Sequence, residues 1–312
     1  MLLTGPLANE LQKNSMFDLS ICIVSYHTRD LLRDCLHSVY ETVTSVSYEI
    51  IVVDNNSNDG TLEMLRSEFS DVRLLVNDHN AGYTRPNNQA IRESKGRYIV
   101  LLNPDTVVKP KAFAELFNFM EAHPEVGIVG PKVLNRDGTL QKQCRRSEAR
   151  PWDSFCYFSG LSRLFPHDKR FAGYLMTYMD ENVTHEAQAV SGSCMMIRRK
   201  VVEQIGYQDE NFFAYQEDTD YCRRARLAGW KIFYHPSAQI IHYGGEGGSG
   251  VQPFRAIVEW HRSYYLYYRK HFAKDYFFGF NAVYYLGMLI KLGLSLFVNL
   301  FRKKKIVGTR KP

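Results

Sequence analysis

Residues 97–103, Arg-Tyr-Ile-Val-Leu-Leu-Asn, form a short apolar run that stops abruptly at Pro104-Asp105. A run of that length and composition is a buried strand. Its end puts a carboxylate at the C-terminal edge of a sheet, and in open α/β sheets ligands bind at that edge. The sequence just before it, 80–96, reads as a turn at Asn80-Ala81-Gly82-Tyr83 followed by a polar helix over about 87–94. The rest of the chain reads as a frame around Asp105.

The segments upstream have one rhythm. Residues 19–25 and 48–53 are apolar strands, the second ending in Asp54-Asn55-Asn56-Ser57, and 72–76 is a third. Amphipathic helices are expected between them, over 29–41 and 61–68. This β-α-β-α-β order implies an α/β fold with a mostly parallel sheet and helices on both faces. Downstream, a helix is expected over 111–122 and a strand over 126–129. Residues 135–185 are less regular and read as loops and short helices. The sheet resumes over 189–197, a short helix follows over 198–205, and two terminal strands are expected at 232–234 and 238–242. Gly245 to Gly250 spells GxGxxG, but it follows the last strand and has no acid about twenty residues on, so it is not a dinucleotide fingerprint. The glycine-rich run 244–250 is expected to be a flexible loop.

The chain has 312 residues, enough for one large domain or a domain with an appendage. None of its six cysteines makes a C-x-x-C pair, which argues against a zinc or redox motif and for a reducing compartment. Residues 1–16 lack a basic n-region and a sustained apolar core, so they read as a mobile leader rather than a secretory signal. Residues 254–272 read as an aromatic, basic helix. Residues 276–301 are almost wholly apolar and long enough to span a bilayer, although Lys291 near the middle opposes a simple span. An in-plane amphipathic segment, re-entrant helices and a helix buried against this or another chain remain open. The net charge is +6, and Arg302, Lys303, Lys304 and Lys305 directly follow the apolar run. That placement favours an anionic membrane surface over nucleic acid. The expected division is a leader (1–16), a nucleotide-binding α/β domain (17–250) and a membrane-associated helical segment (251–312), with a homo-oligomer left open.

Four groups could carry chemistry. Asp54 can accept hydrogen bonds from a base or ribose, though Asp-Asn-Asn-Ser is also a plain turn and cap. Asp105, behind Asn103, can hold Mg²⁺ or Mn²⁺ against a diphosphate, or simply cap a turn. Glu217 and Asp218 can supply a general base, or can open a helix whose later turns carry Arg223, Arg224 and Arg226. His242 ends a strand beside the glycines and is a metal-ligand type that is also common as a structural residue. Arg255 and Arg262 could assist with diphosphate charge.

Taken in order, SICIVSYHT, VVDNNSNDGT, NAGYTRPNNQA, LLNPDT, VSGSCMMIRR, FFAYQEDTDYCRRARLAGW and IIHYGGEGGS resemble the family 2 inverting glycosyltransferases of GT-A fold, closest to the bacterial rhamnosyltransferase-like branch. The likeness covers about residues 18–250. It implies that Asp54 binds the nucleobase or ribose, helped by backbone near Ser25 and Tyr26. Asn80 and Gly82 would lie along the nucleotide. Asp105 and His242 would hold the metal and diphosphate, with Gly192 and Ser193 beside the sugar or acceptor. Asp218 would be the base, oriented by Glu217, and Arg223 would pair within this acidic group. Two departures stand out. Asn103 replaces the first acid of the D-x-D-like motif, and Arg85-Pro86 replaces a flexible small-residue turn, which makes Arg85 a candidate donor contact. Without Q-x-x-R-W, the processive synthases match poorly.

The resemblance implies inverting, metal-dependent transfer of one sugar, with rhamnose a candidate, from a nucleoside-diphosphate sugar. The acceptor would be a saccharide or lipid-linked saccharide for cell-surface polysaccharide, at the cytoplasmic face of the membrane. The rivals are a catalytically silent nucleotide-sugar-binding membrane scaffold and a sugar nucleotidyltransferase. The latter lacks its expected glycine-rich basic signature in SYHTRDLL.

Overall fold

The structure, a computed structural model, describes residues 17–245, 250 and 252–301. The expected leader, most of the glycine-rich loop and the basic cluster from Arg302 on lie outside the described residues. In chain order the elements begin with β1 (Phe17–Ser25), α1 (Arg29–Thr42), β2 (Tyr48–Asp54), α2 (Thr61–Glu68) and β3 (Arg73–Val76). Next come α3 (Thr84–Glu93), β4 (Gly96–Leu102), β5 (Thr106–Val108), α4 (Ala112–Ala122) and β6 (Val126–Leu134). The irregular stretch holds β7 (Arg145–Arg146), α5 (Pro151–Ser159), α6 (Leu161–Leu164), α7 (Lys169–Ala172) and β8 (His185–Glu186). Then follow β9 (Ala189–Val190), β10 (Cys194–Arg198), α8 (Arg199–Ile205), α9 (Glu217–Leu227), β11 (Lys231–His242), α10 (Pro253–His271) and α11 (Phe278–Leu300).

Nine strands make one sheet in the order β3-β2-β1-β4-β10-β6-β11-β5, with β8 beside β11. β1, β2, β3, β4, β6 and β11 run the same way, so six of the nine strands are mutually parallel. Alternation along the strands separates two core layers. Tyr98, Val100 and Leu102 of β4 pack in the layer covered by α1 and α4. Ile99 and Leu101 face the other layer, with Ala90 and Ile91 of α3 and Tyr221, Cys222 and Ala225 of α9. Both faces are therefore covered, as a parallel sheet requires. All six cysteines are free and buried.

Several local expectations need correction. The run 189–197 is two strands rather than one. The chain breaks at Ser191-Gly192-Ser193, and β9 leaves the main sheet to pair with β7. The two strands expected at 232–234 and 238–242 are one, β11, which carries its irregularity between His235 and Gln239, around Pro236. Proline cannot donate to a ladder and is tolerated at such a bulge. α3 begins at Thr84, so Arg85-Pro86 lies in its first turn, where a proline's missing N–H costs nothing. Residues 106–108 form a strand, β5, antiparallel to β11.

α10 packs on the domain: Tyr264, Tyr267 and Tyr268 are buried with Phe212, Tyr174 and Ala149. Residues 278–300 form one continuous helix, α11, long and apolar enough to cross a bilayer by length and composition. Only one side of it is covered. Phe280, Tyr284, Tyr285 and Met288 lean on the α10 cluster. Val283, Leu286, Leu289, Ile290, Leu294 and Phe297 are exposed. Lys291 lies on the covered side, with Nζ 3.1 Å from His261 Nε2 and 4.0 Å from the centre of the Trp260 ring. Its charge thus faces the protein and leaves the apolar side unbroken.

Candidate active site

The polar ends of β1, β2 and β4 come together because these strands are parallel and adjacent. Asp54 is fully buried at the end of β2. Its Oδ2 accepts from the Ser57 N–H at 2.9 Å, while buried Oδ1 has no protein partner. A buried acceptor without a donor is costly, so this oxygen awaits a ligand donor. Ser25 ends β1 with its hydroxyl 2.9 Å from that of Thr28, and the Tyr26 hydroxyl meets the Gln252 side chain at 3.2 Å. The next turn is built from amides: Asn55 Nδ2 donates to Asn80 Oδ1 at 3.0 Å and to the Gly82 carbonyl at 2.7 Å. Gly82 has φ +89°, and a Cβ there would lie 2.7 Å from the Phe213 ring. Only glycine fits.

Asp105 and His242 are brought together by β5 pairing with β11. Thr106 is in register with His242, and His242 Nε2 lies 3.2 Å from Asp105 Oδ1. Burial raises the carboxyl's pKa, but the imidazole beside it and the Gly244 N–H outweigh this and hold it below its usual value. His242 is oriented from behind. Gln141 Oε1 lies 2.8 Å from Nδ1, and the Gln141 amide nitrogen is spent on Asn135 Oδ1 and the His242 carbonyl, both at 3.2 Å. Nδ1 therefore carries a proton, and Nε2 is the ring nitrogen turned toward Asp105. Asn103 Nδ2 approaches the same nitrogen at 3.2 Å, and Asn103 Oδ1 is buried with no partner. A carboxylate and an imidazole nitrogen 3.2 Å apart, beside an amide whose oxygen is buried without a partner, are donors of the kind that suit a divalent cation. Among the described residues no third histidine, cysteine or acid joins them, so a cation there would need further oxygen ligands.

Glu217 and Asp218 open α9. Asp218 Oδ2 accepts from Arg146 Nη2 at 2.5 Å and from the Gly192 N–H at 3.0 Å, and Oδ1 accepts from the Thr219 N–H at 2.6 Å. Arg146 was not foreseen. It reaches Asp218 from β7, and both side chains are only 10% exposed. Burial disfavours the guanidinium charge, yet the Asp218 carboxylate keeps it firmly protonated. Arg223, expected to pair within the acidic group, does not. It and Arg226 clasp the buried Glu148 instead, because helical spacing points them away from the first turn. Arg224 takes Asp220, at 2.9 Å. Glu217 is buried with Oε2 unpartnered. Desolvation and the Asp218 charge push its carboxyl up to about 8.

A chain of hydrogen bonds joins the two centres. The Asn103 N–H donates to the Ser193 carbonyl at 3.0 Å, the Gly192 N–H donates to Asp218, and the Tyr83 hydroxyl donates to the Gly192 carbonyl at 2.8 Å. Burial, and then the charges of Glu217, Asp218 and Asp105, push the Tyr83 phenol well above its usual value, so it remains a donor. Not every candidate joins this group. Arg85 is largely exposed and lies 3.5 Å from Glu210. Arg262 pairs with Glu259 at 3.1 Å, and Arg255 lies over the Phe213 ring at 4.2 Å.

Carboxylates and a histidine gathered at the ends of parallel strands, on a mostly parallel sheet covered by helices on both faces, fit the GT-A glycosyltransferase fold. Residues 20–206 match the glycosyl transferase family 2 model, and the chain belongs to that family. It is 26% identical over 263 residues to the N-acetylglucosaminyl-diphospho-decaprenol L-rhamnosyltransferase of Mycobacterium tuberculosis, covering 80% of this chain and 83% of that one. Over 237 residues it is 29% identical to the low-salt glycan biosynthesis hexosyltransferase of Haloferax volcanii, covering 75% and 69%. Its fold is shared by the Pyrobaculum calidifontis mannosyltransferase solved with GDP-Man and Mn²⁺, at TM-score 0.55 and 18% identity over 81% of this chain and 64% of that one. GalNAc-T7 solved with UDP, GalNAc and Mn²⁺ gives TM-score 0.56 and 15% identity, over 81% of this chain and 48% of that one. The protein is a glycosyltransferase.

Proposed function

We propose that this glycosyltransferase moves one sugar, with inversion, from a nucleoside-diphosphate donor to a lipid-linked saccharide at a membrane surface. The observation that carries this reading is the linkage of the Asp105–His242 pair to Asp218 through Asn103, Ser193 and Gly192. It supports a diphosphate-binding centre lying beside a general base. Asp54 receives the nucleoside through its free Oδ1, with Ser25, Tyr26, Asn80 and Gly82 shaping the pocket. Asp105, His242 and the Asn103 amide would hold Mg²⁺ or Mn²⁺, which would neutralise charge on the leaving diphosphate. Asp218, held in place by Arg146 and the Gly192 N–H, accepts the proton of the attacking acceptor hydroxyl. Glu217, protonated at neutral pH, donates a hydrogen bond that orients the reacting groups. A single displacement with no covalent intermediate inverts the anomeric carbon.

The rhamnosyltransferase relative, whose name specifies a polyprenyl diphosphate-linked substrate, supports rhamnose as donor sugar and a lipid-linked acceptor. The uncovered apolar side of α11 supports seating that helix in a leaflet, the cytoplasmic one on this reading, as a monotopic segment, while α10, whose tyrosines are buried against the rest of the protein, belongs with the transferase domain, and 1–16 would be a leader. Thermal-shift titration with UDP, dTDP and GDP, each with and without Mn²⁺, tests the donor site. A Mn²⁺-dependent shift with one nucleotide is expected. No shift with any of them would favour the silent-scaffold reading.

A further inference from the structure

Large apolar side chains left in water on this protein cluster in two places. One is α11. The other is the segment from α5 to α7, where Trp152, Phe155, Leu164 and Phe165 are 53%, 56%, 72% and 48% exposed. Nothing in the transfer chemistry uses these residues. A soluble surface rarely gathers so many aromatics within fourteen residues unless the patch meets a partner. Arg163, Lys169 and Arg170 are exposed in the same segment, Arg170 in an ion pair with Asp168 at 2.7 Å. The Trp152 indole N–H donates to the Arg170 carbonyl at 2.8 Å, so the ring's polar edge is satisfied within the protein while its body is bare.

The patch adjoins α11. Phe158 at the end of α5 packs edge-on to Trp260 at 5.7 Å and lies 4.5 Å below Lys291 Nζ. Tyr157 packs against the same buried cluster as Tyr284, Tyr285 and Met288 of α11. α5 thus sits beside the covered side of α11. Aromatics rimmed by exposed cations are the composition of an interfacial membrane contact. We propose that the α5–α7 segment is a second contact with an anionic bilayer, inserting Trp152, Phe155, Leu164 and Phe165 beside α11. This rests on the reading of α11 as membrane-seated. The complementary charge and the continuity with α11 favour a lipid surface over a second copy of the chain. α5 starts five residues after Arg146, which grips Asp218.

The test uses the full chain with phosphatidylglycerol vesicles whose acyl chains are brominated, and tryptophan emission as readout. Addition of vesicles should quench a component that is missing in Trp152→Phe. The triple variant W152S/F155S/F165S should bind these vesicles about tenfold or more weakly while melting at the wild-type temperature. Pure phosphatidylcholine vesicles should bind the wild type more weakly. A vesicle-bound chain whose Trp152 stays unquenched would overturn this proposal and leave the α11 reading standing. A full chain that binds no vesicle would overturn both. Equal binding to phosphatidylcholine would remove the anionic requirement. A dimer in vesicle-free buffer that the triple substitution dissolves would give the face to a second copy.

Discussion

The donor half and the acceptor half of the site are built differently. On the donor side, Ser25 and Asp54 end adjacent parallel strands, and Asp105 follows the end of a third. Each is placed by its own strand. On the acceptor side, Asp218 starts a helix and is gripped by Arg146 from a two-residue strand 72 positions upstream and by the Gly192 N–H from a break between two strands. The sheet positions the donor groups. Long-range side-chain pairing positions the base. Damage to the donor half should therefore appear in binding, and damage to the acceptor half in turnover.

The sharpest way to break this contrast is Asp218→Asn, which should lower transfer by about 10³-fold, read by steady-state turnover. Near-normal turnover would move the base elsewhere. Arg146→Met comes next. Losing its guanidinium frees the Asp218 carboxylate from its fixed position, so turnover should fall by roughly 10²-fold while nucleotide affinity stays near the wild-type value. Arg146→Lys should restore part of the turnover. Equal loss of nucleotide affinity and turnover in Arg146→Met would make the arginine merely structural. On the donor side, Gln141→Leu should leave the fold intact but free the His242 ring, weakening Mn²⁺-dependent nucleotide binding by about tenfold, measured by calorimetry. Unchanged affinity would deny Gln141 that role.

The smallest expected effect is on stability. The folded-state pKa of Glu217 is raised to about 8 from 4.5, so folding retains a proton that the unfolded chain loses. The stability linked to that proton is complete below pH 4.5 and is lost as pH rises through about 8. Between those values wild type should lose several degrees of melting temperature relative to Glu217→Gln, roughly 4–8 °C per kcal/mol for a small domain and less for this one. Parallel melting curves would show the effect absent if Glu217 is ionised in the folded protein.

The same contrast explains what could be read from sequence. Asp54 and Asp105 were legible because apolar runs mark where buried strands stop, and a residue at that stop has its place in the fold decided locally. The mostly parallel sheet with helices on both faces followed from the β-α-β rhythm. Arg146 was not legible, since nothing in Arg145-Arg146 distinguishes a buried ion pair from surface charge. Arg223 was misplaced for the same reason: sequence nearness to Asp218 and Asp220 does not fix which way a helix aims a side chain. The break at Ser191-Gly192-Ser193 was hidden because a small-residue tripeptide inside an apolar run does not by itself reveal that β9 changes sheets. Tyr83 was legible only as part of a turn, and nothing in that turn reveals that its hydroxyl reaches the Gly192 carbonyl.

The most direct test of the central claim is calorimetric titration of Asp105→Asn and Asp218→Asn, in Mn²⁺, with whichever of UDP, dTDP or GDP stabilises the wild type. Asp218→Asn should bind the nucleotide within about twofold of wild type, as a group acting on the acceptor proton should. Asp105→Asn should lose most of the Mn²⁺-dependent affinity. The reverse pattern, or equal loss in both, would contradict a donor half that binds and an acceptor half that turns over.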